Sequence, residues 1–260
     1  MTNFSLGSVL GRTFSMIGRS FASVGLLIIA AQVLMGAIQF GISMPALVRA
    51  TTDPAHPFAL FQSSAYWGSL VAGLAVFSVL SAGATYGFIE AGAGRTTSIG
   101  DCLRVGLAKA LPVLGLSLLW MLGIWVGMIF LIVPGLILMT MWSVAVPALI
   151  GDDTGVIGSF GRSRELTKGF RLKIFALLLL LLVVYYVLAL VVLGGAIMPT
   201  PGTAPSAAIA ERMAPAMMAG SMIVTTVFLF LMPALLVAIY QEALSAKLGA
   251  DNNRMSEVFA

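Results

Sequence analysis

Residues 173–198 read KIFALLLLLLVVYYVLALVVLGGAIM, and after the opening lysine no side chain in this stretch is charged. The hydrocarbon core of a bilayer is about 30 Å thick, and an α-helix needs roughly 20 residues to cross it. Lipid offers the backbone no hydrogen-bond partners, so a single segment that crosses it must be helical. The stretch therefore predicts a transmembrane helix.

Five further stretches repeat this pattern. The chain is 60% hydrophobic and 9% charged, whereas a soluble domain usually has about 25% charged residues. The sequence predicts an all-α fold, a polytopic transmembrane bundle of six helices in a single domain, with spans at about 21–44, 66–91, 112–133, 135–150, 173–198 and 217–244. The fourth span is short, so it must cross steeply, or its hairpin with the third must lie inside the membrane.

Lysines and arginines are distributed unequally between the two sides of this bundle. Twelve of the fourteen lie on the side that holds both termini, and Arg49 and Arg212 lie on the other. Because short loops rich in lysine and arginine stay in the cytoplasm, this asymmetry predicts a bacterial inner-membrane protein with cytoplasmic N and C termini. The net charge of +4 then indicates topology and contact with anionic lipid headgroups, and no nucleic-acid partner is expected.

The three predicted hairpins begin with similar leading segments, Leu6-Gly7-Ser8, Ile99-Gly100-Asp101 and Ile157-Gly158-Ser159. Serine and aspartate accept the free amides of a first helical turn, so the third residue of each segment is a predicted N-cap. In the first two segments apolar residues also recur on one helical face: Leu6, Leu10, Phe14, Ile17 and Phe21, then Ile99, Leu103, Leu107, Ala110 and Leu114. We expect a cytoplasmic amphipathic helix before each hairpin, which anchors the spans or, alternatively, senses lipid or docks a partner.

Residues suited to chemistry are few. His56 is the only histidine and Cys102 the only cysteine, and metal sites usually need three or four ligands. No catalytic, metal or cofactor site is predicted, so we expect the chain not to be an enzyme. Glu90 and Glu242 end the second and sixth spans as a candidate polar boundary pair. They either pair with basic residues of neighbouring amphipathic helices or form a polar site at the mouth of the bundle.

Pro134-Gly135 separates the third and fourth spans. Proline removes a helical hydrogen bond and kinks or ends a helix, so the dipeptide predicts a tight hairpin turn between two spans that have no charges between them. A broken helix that lines a cavity, as in some transporters, is the alternative.

Four segments carry a resemblance to a known family: Ile132-Val133-Pro134-Gly135, Trp142, Pro147-Ala148 and the run RSRELTKG at 162–169. In them the chain resembles the YciC-like bacterial inner-membrane proteins and the related membrane domain fused to some glycerophosphodiester phosphodiesterases. The resemblance implies a membrane module without catalytic activity, because the phosphodiesterase domain of the fused relatives is a separate soluble barrel. Relatives tend to carry an acidic residue after the Pro-Ala segment, and Asp152 or Asp153 stands there in this chain.

The 162–169 run also predicts a contact surface. Its cations and the next arginine are candidate contacts to membrane lipid phosphates or to a partner's acidic patch: Arg162, Arg164, Lys168 and Arg171. Leu166 and Phe170 are expected to dip into lipid. Glu90 and Glu242 of the same chain are alternative counterparts for these cations.

These features favour a non-catalytic accessory or scaffold protein of envelope or lipid processes, acting alone or beside a protein partner. The hairpin repeats and proline-interrupted spans support an alternative, a transporter or permease for a lipid or a small amphipathic solute. A subunit of a larger complex is a third interpretation, favoured by the charge-poor surface that the spans present to lipid.

Overall fold

The computed structural model describes residues 4–38, 41, 59–197 and 207–258. Within these ranges the backbone forms helices joined by short connections, and none of the described residues forms a strand. The predicted all-α class is therefore confirmed. The helices are α1 (Leu6–Ile38), α2 (Ala59–Gln62), α3 (Ser64–Gly92), α4 (Ile99–Phe130), α5 (Ile132–Met141), α6 (Ala145–Gly151), α7 (Gly155–Thr167), α8 (Arg171–Ile197) and α9 (Ala207–Val258).

Six helical stretches of the described chain are long and apolar enough to cross a bilayer, so this is a multi-pass membrane protein. The stretches are Leu6–Ile38, Ser64–Gly92, Ile99–Phe130, Ile132–Gly151, Arg171–Val192 and Ala219–Leu248. Six spans were predicted, and this number is confirmed.

The leading segments of the first two hairpins are continuous with their spans. α1 and α4 each run without a break from the amphipathic segment into the apolar one. Only the third hairpin has a separate helix before its span. This helix, α7, is followed by Gly169, whose backbone has a φ of +92°. Glycine adopts this left-handed backbone readily and so ends a helix, and such a glycine is missing where α1 and α4 enter their spans.

The predicted N-caps are wrong, because each helix begins before them. Ser98 caps α4: its hydroxyl accepts the amide of Asp101 at 3.1 Å, and the Asp101 carboxylate accepts the amide of Ser98 at 3.1 Å. This reciprocal capping box places Asp101 in the first turn of the helix. Ser8 and Ser159 likewise lie inside α1 and α7.

The third and fourth spans form a hairpin, and its turn precedes the predicted one. Leu131, between α4 and α5, has an extended backbone with φ −170° and ψ 143°. Pro134 stands in the first turn of α5, where a missing N–H costs no helical hydrogen bond. A Cβ on Gly127 would lie 3.1 Å from the Cα of Gly135, so the two helices touch directly after the turn. The hairpin therefore turns at Leu131 and not at Pro134-Gly135.

The tip of this hairpin is apolar and exposed. Residues 129–133 are large hydrophobics that each expose between 64% and 77% of their surface. From Lys109, which pairs with Asp153 at the opposite end of the bundle, α4 rises through about twenty residues to Phe130, or about 30 Å. This length equals the hydrocarbon thickness. The tip therefore reaches the far boundary of a bilayer whose near boundary is at Lys109.

α1, α3 and α9 form the centre of the bundle, with α4 packed on α3 and α8 packed on α9. The α3–α4 contact is especially close, because a Cβ on Gly83 would lie 2.6 Å from the Cys102 carbonyl oxygen. A Cβ on Gly106 would lie 2.6 Å from the Val79 carbonyl oxygen. Small residues permit this backbone approach between membrane helices. The predicted apolar stripe of α4 faces outward in its first half: Ile99, Leu103 and Leu107 are exposed.

Candidate functional site

Ionisable side chains gather at one end of the bundle, which we call the charged end and define by Arg12, Glu90, Asp152 and Glu242. Glu242 of α9 is buried. Its carboxylate lies 3.2 Å from the Nε of Arg12 and accepts a hydrogen bond from the hydroxyl of Ser8 at 2.6 Å. The polar face of α1 is thus fastened to α9.

Glu90, at the end of α3, has a different partner. Two nitrogens of the Arg95 side chain, Nε and Nη2, donate to the Glu90 carboxylate, the second at 2.8 Å. Arg95 lies five residues later, in the connection between α3 and α4. Glu242 thus pairs with Arg12 of the first amphipathic segment, as the boundary interpretation expects, whereas Glu90 pairs with Arg95 of a connection and not with an amphipathic helix. The described ion pairs do not join the two glutamates in one polar site.

Asp152 joins three elements of the charged end. Its Oδ2 accepts a hydrogen bond from the Nε of Arg162 at 2.7 Å, and its Oδ1 accepts one from the hydroxyl of Tyr240 at 2.6 Å. The three residues belong to the end of α6, to α7 and to the buried face of α9. The hydrogen bond that Arg162 donates to Asp152 raises the pKa of the guanidinium above its ordinary value.

The fourth span is interrupted where α5 ends at Met141 and α6 begins at Ala145. A broken helix leaves backbone carbonyls without helical partners. Here the Met141 carbonyl accepts hydrogen bonds from the hydroxyls of Ser163 at 2.8 Å and Thr167 at 3.3 Å. Both residues belong to the 162–169 run and are fully buried. The inward face of this run therefore fastens α7 to the break.

Two predictions about the 162–169 run are wrong. Leu166 does not enter lipid, because it is 2% exposed and packs in the main core. Phe170 stacks on Phe4 with ring centroids 4.9 Å apart, so it too contacts protein. Leu166 shares the buried face of α7 with Ser163 and Thr167. Phe170 follows the end of α7 and meets Phe4, which precedes α1.

The predicted cations of this run are placed differently from one another. Arg162 is bonded to Asp152, whereas Arg164 and Lys168 are exposed on the outer face of α7 and its end. Arg171 is half-buried, and its Nε is buried without a hydrogen-bond partner among the described residues. None of the four contacts Glu90 or Glu242 within the described ion pairs.

A cleft of about 210 Å³ opens at the charged end between α1, α3 and α9. It is lined by Gly11, Arg12, Ser15, Met16, Arg19, Ala91, Gly92 and Gln241. Arg12 and Arg19 are among the basic residues expected to indicate topology and to contact anionic headgroups, and neither was assigned to a site. Their spacing with Ser15 on one helical face was the available signal, because residues three and four apart on a helix are neighbours.

The family of the chain follows from a match over most of its length. The model of a family described as a domain of unknown function, DUF7847, matches residues 21–243. The chain belongs to the DUF7847 family. Comparison with the curated proteins and with the solved structures finds no match. Among the residues of the charged end, the matched part of this DUF7847 protein includes Glu90, Asp152 and Glu242, whereas Arg12 and Arg19 precede it.

Groups suited to metal or redox chemistry are few in the part of this DUF7847 protein that the structure describes. The described residues hold no cluster of three or more His, Cys, Asp or Glu side chains that could bind a metal ion. His56 lies outside the described residues. Cys102 is buried. Its neighbours are Gly87 of α3 and Thr97 of the α3–α4 connection.

Proposed function

We propose that this protein is a non-catalytic accessory or scaffold protein of a bacterial inner membrane, with both termini in the cytoplasm, that serves envelope or lipid processes. A relationship to the YciC-like family is part of the proposal and rests on the segments at 132–135, 142, 147–148 and 162–169. The observation that carries the proposal is the pairing of charged groups at the charged end. Asp152 and Glu242 bond to residues of other helices, so these groups hold the bundle together.

Packing within the spans supports the same proposal. A cavity between α8 and α9 has a volume of about 10 Å³ and an apolar lining that includes Leu181, Tyr185, Val224 and Phe228. This is about the space that one water molecule requires. A path for a lipid headgroup or an amphipathic solute needs far more room.

One observation favours the alternative, a transporter or permease. The fourth span is discontinuous, and discontinuous helices line the substrate sites of many transporters. Such sites use the freed backbone groups to bind substrate or ions. Here the Met141 carbonyl is bonded to Ser163 and Thr167, so the break fastens α7 in place, and we prefer the accessory role.

Lipid movement provides the direct test. The protein is reconstituted into vesicles that contain a fluorescent phosphatidylglycerol, and dithionite is added to quench the outer leaflet. We expect the quenched fraction and its rate to equal those of protein-free vesicles, because the cavity between α8 and α9 is apolar and too small for a headgroup. Accelerated movement of lipid would support the transporter, and phosphodiester hydrolysis that is lost in His56→Ala would support an enzyme. Either result would contradict the proposal.

The exposed cations Arg164 and Lys168 fit a charged end that lies at the membrane surface. Each basic residue near an anionic leaflet contributes about 1 kcal/mol of attraction. An acidic patch on a protein partner would satisfy the same two cations, and co-purification in a mild detergent is the measurement for that case.

Thiol labelling tests the proposed orientation. Cys102→Ser removes the native thiol, and single cysteines are then placed at Ser64 or at Arg164, both of which are exposed. We expect a membrane-impermeant maleimide to label Ser64→Cys in intact cells and Arg164→Cys only in inverted membrane vesicles, because the basic face stays in the cytoplasm. The opposite pattern would show that the charged end faces outward.

A further inference from the structure

The cleft between α1, α3 and α9 presents three polar side chains of α1 to one space. Arg12, Ser15 and Arg19 follow one another at intervals of three and four residues, which places them on successive turns of one helical face. All three are exposed and line the cleft. Two guanidinium groups and a hydroxyl are hydrogen-bond donors suited to the oxygens of a phosphate group.

Arg19 differs from the other arginines that have partners at the charged end. Arg12, Arg95 and Arg162 each pair with a carboxylate. Arg19 instead donates to the carbonyl oxygen of Ala91 at 3.5 Å, at the long limit for a hydrogen bond. No carboxylate of the described residues forms an ion pair with it. Its positive charge is therefore not neutralised by the described protein.

Arg12 also keeps donors for a ligand. Its Nε is directed at Glu242, and an arginine side chain has five N–H groups in a planar fork. The Ser15 hydroxyl has no hydrogen-bond partner among the described residues. Around the cleft, the carboxylate of Glu242 therefore accompanies the guanidinium groups of Arg12 and Arg19, which leaves an excess of positive charge.

Glycines keep the cleft open. A Cβ on Gly11 would meet nothing within 4 Å, so a larger side chain there would project into free space. On the opposite wall a Cβ on Gly92 would lie 2.3 Å from the amide nitrogen of Gln241. Gln241 therefore lies against the end of α3, and its amide donates to the Ile89 carbonyl at 3.4 Å.

We propose that this cleft binds a phosphate group, either in the headgroup of an anionic phospholipid or as free phosphate. Arg12 and Arg19 hold the phosphate oxygens from two turns of α1, and Ser15 donates between them. The cleft lies beside Ala91 and Gly92, at the end of α3. This inference rests on the proposed function, because it requires the charged end to lie at the membrane surface.

Native mass spectrometry of the full-length protein in a mild detergent tests the inference, with dioleoyl phosphatidylglycerol as the probe. Arg19→Gln removes the unpaired charge, and Gly11→Leu fills the cleft without changing charge. We expect each to weaken the tightest-bound lipid about tenfold, because a charge-assisted hydrogen bond or the space for the ligand is lost. Arg104→Gln is the matched control: it removes an exposed arginine at the start of α4, outside the cleft, and we expect unchanged affinity.

Competition with millimolar inorganic phosphate distinguishes the two sources. If phosphate displaces the lipid, the cleft binds phosphate groups in general. If the lipid stays bound, the cleft recognises the lipid headgroup. Affinities of Arg19→Gln or Gly11→Leu equal to that of Arg104→Gln would overturn the inference. That result would leave the accessory role standing, because the lipid-movement assay tests that role independently.

Discussion

Replacement of Asp152 by alanine is expected to lower the free energy of unfolding by about 2–3 kcal/mol, as hydrogen bonds to a charged group contribute about 1.5–3 kcal/mol. The substitution leaves the buried Tyr240 hydroxyl and the Arg162 guanidinium without their carboxylate. Arg162 is partly exposed, so water recovers some of its loss. Reversible unfolding in mixed micelles with increasing dodecyl sulfate, followed by tryptophan fluorescence, gives the measurement.

The neighbouring residue supplies the control. Asp153 pairs with Lys109, but 78% of its side chain is exposed, and exposed pairs contribute little. Its φ of 49° lies in the left-handed region, which asparagine tolerates. We therefore expect Asp153→Asn to cost less than about 0.5 kcal/mol. Equal losses in Asp152→Ala and Asp153→Asn would show that the carboxylate of Asp152 does not join α6, α7 and α9 energetically.

Gly83→Ala is expected to destabilise the bundle by about 1–3 kcal/mol, the usual cost of adding a methyl group to a filled contact. The new Cβ would lie 2.6 Å from the Cys102 carbonyl oxygen and 2.9 Å from the Leu27 Cδ2 atom. A carbonyl oxygen cannot move without moving α4 itself, so the helices must separate. The same unfolding experiment measures the loss.

Gly68→Ala is a matched change in the same helix, α3. Nothing lies within 4 Å of a Cβ at Gly68, and alanine in a helix interior is favoured over glycine by roughly 0.5–1 kcal/mol. This variant should therefore be as stable as the wild type or more stable. If Gly83→Ala behaved in the same way, α3 and α4 would not be in close contact at Gly83.

The six spans could be predicted because a helix crosses lipid when its apolar character, summed over about twenty residues, is high enough. The stretch 173–198 meets that condition without help from any other segment. The exact starts of α1 and α4 could not be predicted in the same way. α1 has no proline between its amphipathic and apolar parts, and α4 continues through Pro112 at the same place, so each physical helix is longer than its membrane span. The turn at Leu131 was misplaced for a related reason, since proline fits the first turn of α5 as well as it fits a loop.

The charged end was only partly predictable. Glu90 and Arg95 lie five residues apart, so a pair at the end of a span follows from local sequence. Asp152 and Tyr240 are separated by 88 positions, and no sequence pattern states which helix ends meet. Ser163 and Thr167 gave a usable signal that was missed: their four-residue spacing places two hydroxyls on one helical face, and that face is buried.

The apolar tip at 129–133 has a consequence for biosynthesis. A newly made hairpin inserts into the membrane only if its connecting loop passes to the far side, and charged groups make this passage costly. Residues 129–135 contain no polar or charged side chain, so α4 and α5 enter lipid together with nothing hydrophilic to translocate. In the proposed orientation, the loops of the other two hairpins carry Arg49 and Arg212 across. The central hairpin therefore has no charged group to move across the membrane during insertion, whereas the first and third hairpins each have at least one in that orientation.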